Sequence, residues 1–154
     1  MTTKKTAEGK TLALQTLLRQ VMERHIAFNK HLGLKVESFD PAAPKLRFDM
    51  RPELVGNPKR QILHGGVISA TLDVAGGLAI MLSLAEEMDG TPETFPNIGT
   101  IDLRVDYLRP GRGKYFVATA RIVRKGSRIA VIHMELHNDE GELIATGGAA
   151  YVVG

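Results

Sequence analysis

Hydrophobic positions along the chain follow two periods, and the change between them divides it. Over residues 11–31, Leu14, Leu17, Leu18, Val21, Met22 and Ile26 recur at helical spacing, while Arg19, Gln20, Glu23 and Arg24 lie mostly off that stripe. This spacing predicts an amphipathic helix over 11–31, with Gly33 as its stop. The segments LKVESF (34–39) and KLRFDMR (45–51) read as short strands separated by DPAAP. EEMDGTPETFPN (86–97) reads as a loop. Beyond it the period is two. Ile101, Leu103, Val105 and Tyr107 alternate with Asp102, Arg104 and Asp106, which predicts a half-buried strand with the apolar set inward. KYFVATARIV, RIAVIHMELH (128–137) and ELIATGGAAYVV (142–153) follow, with Ala130, Ile132, Met134 and Leu136 sharing one face. The turns RPGRG, RKGS and NDEG separate these segments, so the C-terminal third reads as an antiparallel meander.

Between the two regimes lies ILHGGVISATLDVAGGLAIML (62–82), which predicts a helix over roughly 65–84. From Val67 to Leu82 no face is polar, so the helix is expected to be covered all round. Its length raises the question of a membrane span. His64, Asp73, four glycines and the lack of Lys/Arg anchors at its C-terminal end argue against one. One very apolar helix and one antiparallel sheet predict an α+β fold, with the sheet wrapped around the helix and an extra N-terminal helix. A polar start, MTTKKTAEGK, is expected to be disordered over 1–10, leaving one domain over 11–154.

Composition changes this picture little. With 154 residues the chain suits one domain with a sizeable core. Absence of cysteine excludes disulfides, thiolate metal sites and a cysteine nucleophile. The net charge of +3, with no dense basic run, does not point to nucleic acid, but it suits an acidic small molecule such as a phosphorylated cofactor. Arg19, Glu23 and Arg24 interrupt the first apolar run, so it does not read as a signal peptide. A cytoplasmic protein is expected.

Candidate chemistry lies in the apolar helix. Ser69 and Thr71 read as small core residues bonded back to helix carbonyls. A carboxylate on such a helix needs a partner. Asp73 is therefore either a buried acid bonded to an Arg or to backbone N–H groups, or a carboxylate facing a cleft, where it orients or deprotonates water. His64-Gly65-Gly66 opens the helix, where the first N–H groups have no intrahelical partner and the macrodipole adds positive charge. Glycine there lets a substrate oxygen approach the backbone, which suits a thioester carbonyl gathering negative charge. The alternative is a tight turn with His64 as a structural cap. Spacing adds a constraint. Nine residues separate His64 from Asp73, about 13 Å along a helix and nearly half a turn around it. If both act on one carbonyl, they come from two chains related by a two-fold axis.

HGG followed by an Asp nine residues after the His, GTIDLRVDYLRPGRG (99–113) and the closing G-x-L-I-A-x-G (141–147) resemble the hotdog-fold acyl-CoA thioesterases of the PaaI-like group. Two segments, ILHGGVISATLDVAGGL and GTIDLRVDYLRPGRG, look especially like the YigI-type branch, associated with medium- and long-chain acyl-CoA. The likeness covers about residues 30–153. It implies a hotdog fold in a homodimer or dimer of dimers, acting on an acyl-CoA thioester with no cofactor. It also implies Asp73 as the catalytic carboxylate, acting on water as general base, with direct nucleophilic attack as the alternative. Gly65 N–H would polarise the carbonyl, His64 would shape that pocket with Gly66 beside it, and Thr100 would help position water.

Relatives often carry an Asn six residues before the His. Here that position is Pro58, so Asn57 or Gln61 is expected to stand in, unless Asn57 simply makes the Asn-Pro turn. Arg124, Lys125, Gly126, Ser127 and Arg128 form a basic turn that suits the CoA phosphates, the alternative being a solvated turn without a ligand. No third ligand accompanies His133 and His137, so no metal site is read. A non-catalytic acyl-CoA binder and a hotdog dehydratase or hydratase stand as alternatives.

Overall fold

Six strands form one antiparallel sheet in the order β1-β2-β6-β7-β8-β5, and a two-stranded hairpin, β3-β4, stands apart from it. The computed structural model describes residues 2–87 and 97–154, with side chains over 9–85 and 97–154. The helices are α1 (Thr2–Gln20), α2 (Ala27–Leu32) and α3 (Gly65–Glu87). The strands are β1 (Lys35–Ser38), β2 (Lys45–Asp49), β3 (Val55–Asn57), β4 (Ile62–Leu63), β5 (Ile98–Tyr107), β6 (Tyr115–Lys125), β7 (Ile129–Asn138) and β8 (Leu143–Val153). Helix α3 packs against β2, β5, β6, β7 and β8. The expected architecture, a sheet wrapped around one apolar helix, is the observed one.

The central strands follow their alternation. Ala130, Ile132, Met134 and Leu136 of β7 are all buried, and they meet Leu72, Leu78, Ala79 and Ile80 of α3 in one continuous core. Phe48 and Phe116 stack across β2 and β6, their centroids 5.3 Å apart. Thr71 donates to the Val67 carbonyl and Ser69 to that of Gly66, as small residues on a buried helix do.

Four expectations need correction. First, the N-terminal helix starts earlier and is broken. Residues 1–10 were expected to be disordered, yet helical backbone begins at Thr2; Lys4, Lys5, Ala7 and Glu8 all favour helix. A wide turn at Val21–His25 and an extended Ile26 (φ −77°, ψ 104°) then separate α1 from α2. At that turn the Glu23 carboxylate accepts the Val36 N–H of β1 (2.9 Å), so the break docks the helix onto the sheet edge.

Second, the alternation of β5 changes phase. Thr100 pairs with Tyr151 and Asp102 with Ala150, leaving Ile101 as an extra residue in a β-bulge. Ile98, Leu103 and Val105 are half-buried, whereas Ile101 and Tyr107 are each 54% exposed. The strand carries two inward sets that are out of step, and the bulge absorbs the difference.

Third, α3 is not covered all round. Ala70, Asp73, Val74, Gly77, Met81 and Leu84 form a stripe at helical spacing that the chain leaves half-buried. Fourth, β3 and β4 were not anticipated, being too short to carry a period.

Candidate active site

Helix α3 begins with its donors almost all committed. The Gly66 N–H donates to His64 Nδ1 (2.8 Å), and the N–H groups of Val67 and Ile68 donate to the His64 carbonyl (3.0 and 3.3 Å). The Gly65 N–H bonds to no described residue. One N–H therefore stays open at the positive end of the helix dipole. His64 is the cap that commits the others, and accepting at Nδ1 puts the proton of its neutral ring on Nε2. A Cβ at Gly66 would lie 2.9 Å from His64 Nδ1, so the cap requires glycine there. Tyr107 closes over the turn from β5, donating to the Gly65 carbonyl (3.1 Å). A groove of about 320 Å³ opens beside Gly65, lined by Ile62, Leu63, Ile68, Tyr107, Leu108 and Pro110 among others.

Asp73 lies two turns further along. Among the described residues it meets neither an Arg nor a backbone N–H. Its Oδ1 accepts the Thr100 hydroxyl (2.8 Å) and the Tyr151 phenol (2.9 Å), while Oδ2 has no partner among the described residues. The bulge at Ile101 is what reconciles an inward Thr100 with the inward Leu103 beyond it. Tyr151 is 2% exposed and reaches Asp73 from β8, its one hydroxyl proton shared between Asp73 Oδ1 and the Asp73 carbonyl (both 2.9 Å). Burial, then the Asp73 charge and the bond to it, push the Tyr151 phenol far above its usual range, so it remains a protonated donor.

An open N–H and a carboxylate with one free oxygen are the parts of a hydrolytic site for an acyl carbonyl. Residues 60–145 match the family model described as the thioesterase superfamily. The chain belongs to the thioesterase superfamily. It is 43% identical over 143 residues to the medium/long-chain acyl-CoA thioesterase YigI of Salmonella typhimurium, covering 90% of this chain and 92% of that one. The same identity and coverage hold for YigI of Escherichia coli. A crystal structure of a Shewanella oneidensis protein related to the thioesterase superfamily is 42% identical. It superposes with a TM-score of 0.86, covering 94% of this chain and 97% of that one. With 43% identity to a curated thioesterase over 90% of its length, the protein is a thioester hydrolase.

The other expected residues of this thioesterase divide into two groups. Asn57 and Gln61 are tied to their own loop. Asn57 Oδ1 accepts the N–H groups of Lys59 and Arg60 (both 3.1 Å), and Gln61 Nε2 donates to the Pro58 carbonyl (2.7 Å). Asn57 thus makes the Asn-Pro turn. The basic turn Arg124, Lys125, Gly126, Ser127, Arg128 lies near the C-terminal end of α3, away from Gly65, where Lys125 Nζ donates to Ser83 Oγ (2.9 Å). His133 and His137 flank Glu135 (3.3 and 3.8 Å). No group of three or more metal-ligating side chains occurs among the described residues.

Tyr151 was missed at the sequence level. It ends an alternating apolar strand and passes for a core residue. The available signal was its hydroxyl: a buried Tyr O–H needs an acceptor, and Asp73 was an acid in the middle of the apolar helix.

Proposed function

We propose that this thioesterase hydrolyses medium- or long-chain acyl-CoA to the free acid and CoA, in a homodimer with two composite sites. The observation that carries the proposal is the pair of open groups on α3: the Gly65 N–H and Asp73 Oδ2. Eight residues separate them, about 12 Å along the axis, too far to serve one carbonyl within one chain. In the composite site the partner subunit's Gly65 donates its N–H to the thioester oxygen. Water attacks the carbonyl carbon and gives its proton to Asp73 Oδ2. The tetrahedral oxyanion, held by that N–H, collapses; the C–S bond breaks, and the sulfur takes the proton back from Asp73, leaving as the CoA thiol and regenerating the carboxylate. Thr100 positions the carboxylate and the water. No cofactor enters.

Two further features support a second copy. Among the described residues nothing pairs with the outer side of β5, and a long open edge invites pairing. The half-buried stripe of α3, apolar but for Asp73, lies beside the site. From Ala70 to Leu84 it runs about 21 Å, apolar surface long enough for a medium or long acyl chain between the two helices. The basic turn 124–128 takes the CoA phosphates. A cytoplasmic location goes with this chemistry.

A thiol-release assay across acyl-CoA chain lengths tests the activity. Wild type is expected to turn over medium and long chains, and Asp73→Asn to lose about 10²- to 10⁴-fold in kcat while keeping its fold. Binding of acyl-CoA without thiol release would make the protein a non-catalytic binder. Composite sites are tested by mixing subunits. Gly65→Pro removes the N–H at a helix position that tolerates proline. Co-expressed with Asp73→Asn, it should restore one working site per mixed dimer, although each variant alone is inactive. No recovery in mixed dimers would end the two-chain site.

A further inference from the structure

The Tyr151 phenol reaches Asp73 through a gap in α3. A Cβ at Gly76 would lie 2.4 Å from the Tyr151 hydroxyl and 2.9 Å from its ring carbon Cζ, so the phenol occupies space that only glycine leaves open. Mid-helix glycine costs about 1 kcal/mol against alanine. The next residue, Gly77, has nothing within 4 Å of its Cβ position, so close packing explains Gly76 and not its neighbour. Inside that gap the hydroxyl meets Asp73 Oδ1, which Thr100 also approaches.

We infer that Tyr151 is a positioning residue for hydrolysis: seated in the Gly76 gap, it joins Thr100 in occupying Asp73 Oδ1, so that Oδ2 alone is presented to water. This rests on Asp73 being the acid that acts on water. Two hydroxyls donate to one oxygen, which has two lone pairs to receive them. They also fix the plane of the carboxylate against rotation about its terminal torsion, which is otherwise broad. Both donors carry hydroxyls, so they hold the charge without neutralising it as an Arg would. The phenol is buried, 2% exposed, and bonds to Asp73, so its effect passes through that carboxylate.

Tyr151→Phe tests this, since it removes one oxygen from a buried ring. The expected result is a kcat lower by about 10- to 100-fold, the scale for a misplaced reacting group. KM should stay within about twofold, and so should the Kd of a non-hydrolysable acyl-CoA analogue. A structural role alone would lower the melting temperature and the active fraction together, leaving kcat per folded site unchanged. Gly76→Ala is the second variant. It leaves the phenol intact but displaces it, and it should lower kcat in the same way if Tyr151→Phe does not fold. Asp73→Asn separates the two levels of the inference. If it abolishes turnover while folded Tyr151→Phe keeps wild-type kcat, the role of Tyr151 is overturned and Asp73 stands. If Asp73→Asn itself keeps wild-type kcat, the hydrolytic role of Asp73 falls and that of Tyr151 with it.

Discussion

Glu23 and Asp73 are both carboxylates held at the helix–sheet boundary, and they are held in opposite ways. Both oxygens of Glu23 are engaged: Oε1 accepts from Arg19 (3.0 Å) and the Val36 N–H (2.9 Å), and Oε2 meets Lys35 (3.3 Å). Burial alone would raise its pKa, but the Val36 N–H, Lys35 and Arg19 outweigh it and hold Glu23 below its usual value. Asp73 meets no cation among the described residues. Two neutral hydroxyls take one oxygen and leave the other open. A carboxylate that joins parts of a fold is saturated and charge-balanced. One that acts on a substrate keeps an unspent lone pair and an uncompensated charge. Counting partners oxygen by oxygen separates the two where burial does not.

The sharpest way to break this comparison is to remove Glu23. Glu23→Ala leaves the part-buried Val36 N–H without its acceptor, a loss of about 1–3 kcal/mol. Urea unfolding should show that loss, with thiol-release turnover per folded site unchanged. A fall in turnover at constant stability would erase the distinction. Thr100→Val acts on the other side. It keeps the β-branched shape and removes one donor from Asp73 Oδ1. Turnover is expected to fall about tenfold, equivalent to about 1.4 kcal/mol in the barrier, with unfolding unchanged. Equal loss of stability and no loss of kcat would make Thr100 a packing residue.

The same pair shows how far the sequence could be read. Asp73 stood out because its helix is otherwise apolar, and Gly65, His64 and Thr100 followed from the motif. Glu23 did not stand out, because a charged residue on an amphipathic helix looks like a solvated one. Its partner, the Val36 N–H, is a backbone group thirteen residues on and invisible to any pattern. Tyr151 was hidden for the related reason that its contact with Asp73 spans 78 residues. For the fold, strands β6, β7 and β8 were legible because two flanking strands or a buried face enforce period two. β5 lies at an edge, where a bulge costs little, and its phase change could not be located from alternation alone. The break at Val21–His25 depends on docking to β1, a tertiary effect that outweighs local propensity.

The smallest expected effect concerns pH. Glu23 has a lowered folded-state pKa, so the unfolded chain binds its proton more readily. Its ionisation therefore contributes stability that is fully present above the unfolded value of about 4.5 and is lost as pH falls through the folded value. Glu23→Gln keeps an acceptor for Val36 and removes only the charge. The stability difference between wild type and Glu23→Gln should be constant from pH 8 to pH 5, then narrow below about pH 4.5. Denaturation at several pH values measures it. Because the Arg19 and Lys35 side chains are 48% and 64% exposed, solvent and salt screen the ion pairs, and the difference should also shrink in high salt. A difference that narrows already between pH 7 and pH 5 would mean that Glu23 is not held ionised by its partners. Its contrast with Asp73 would then rest on geometry alone.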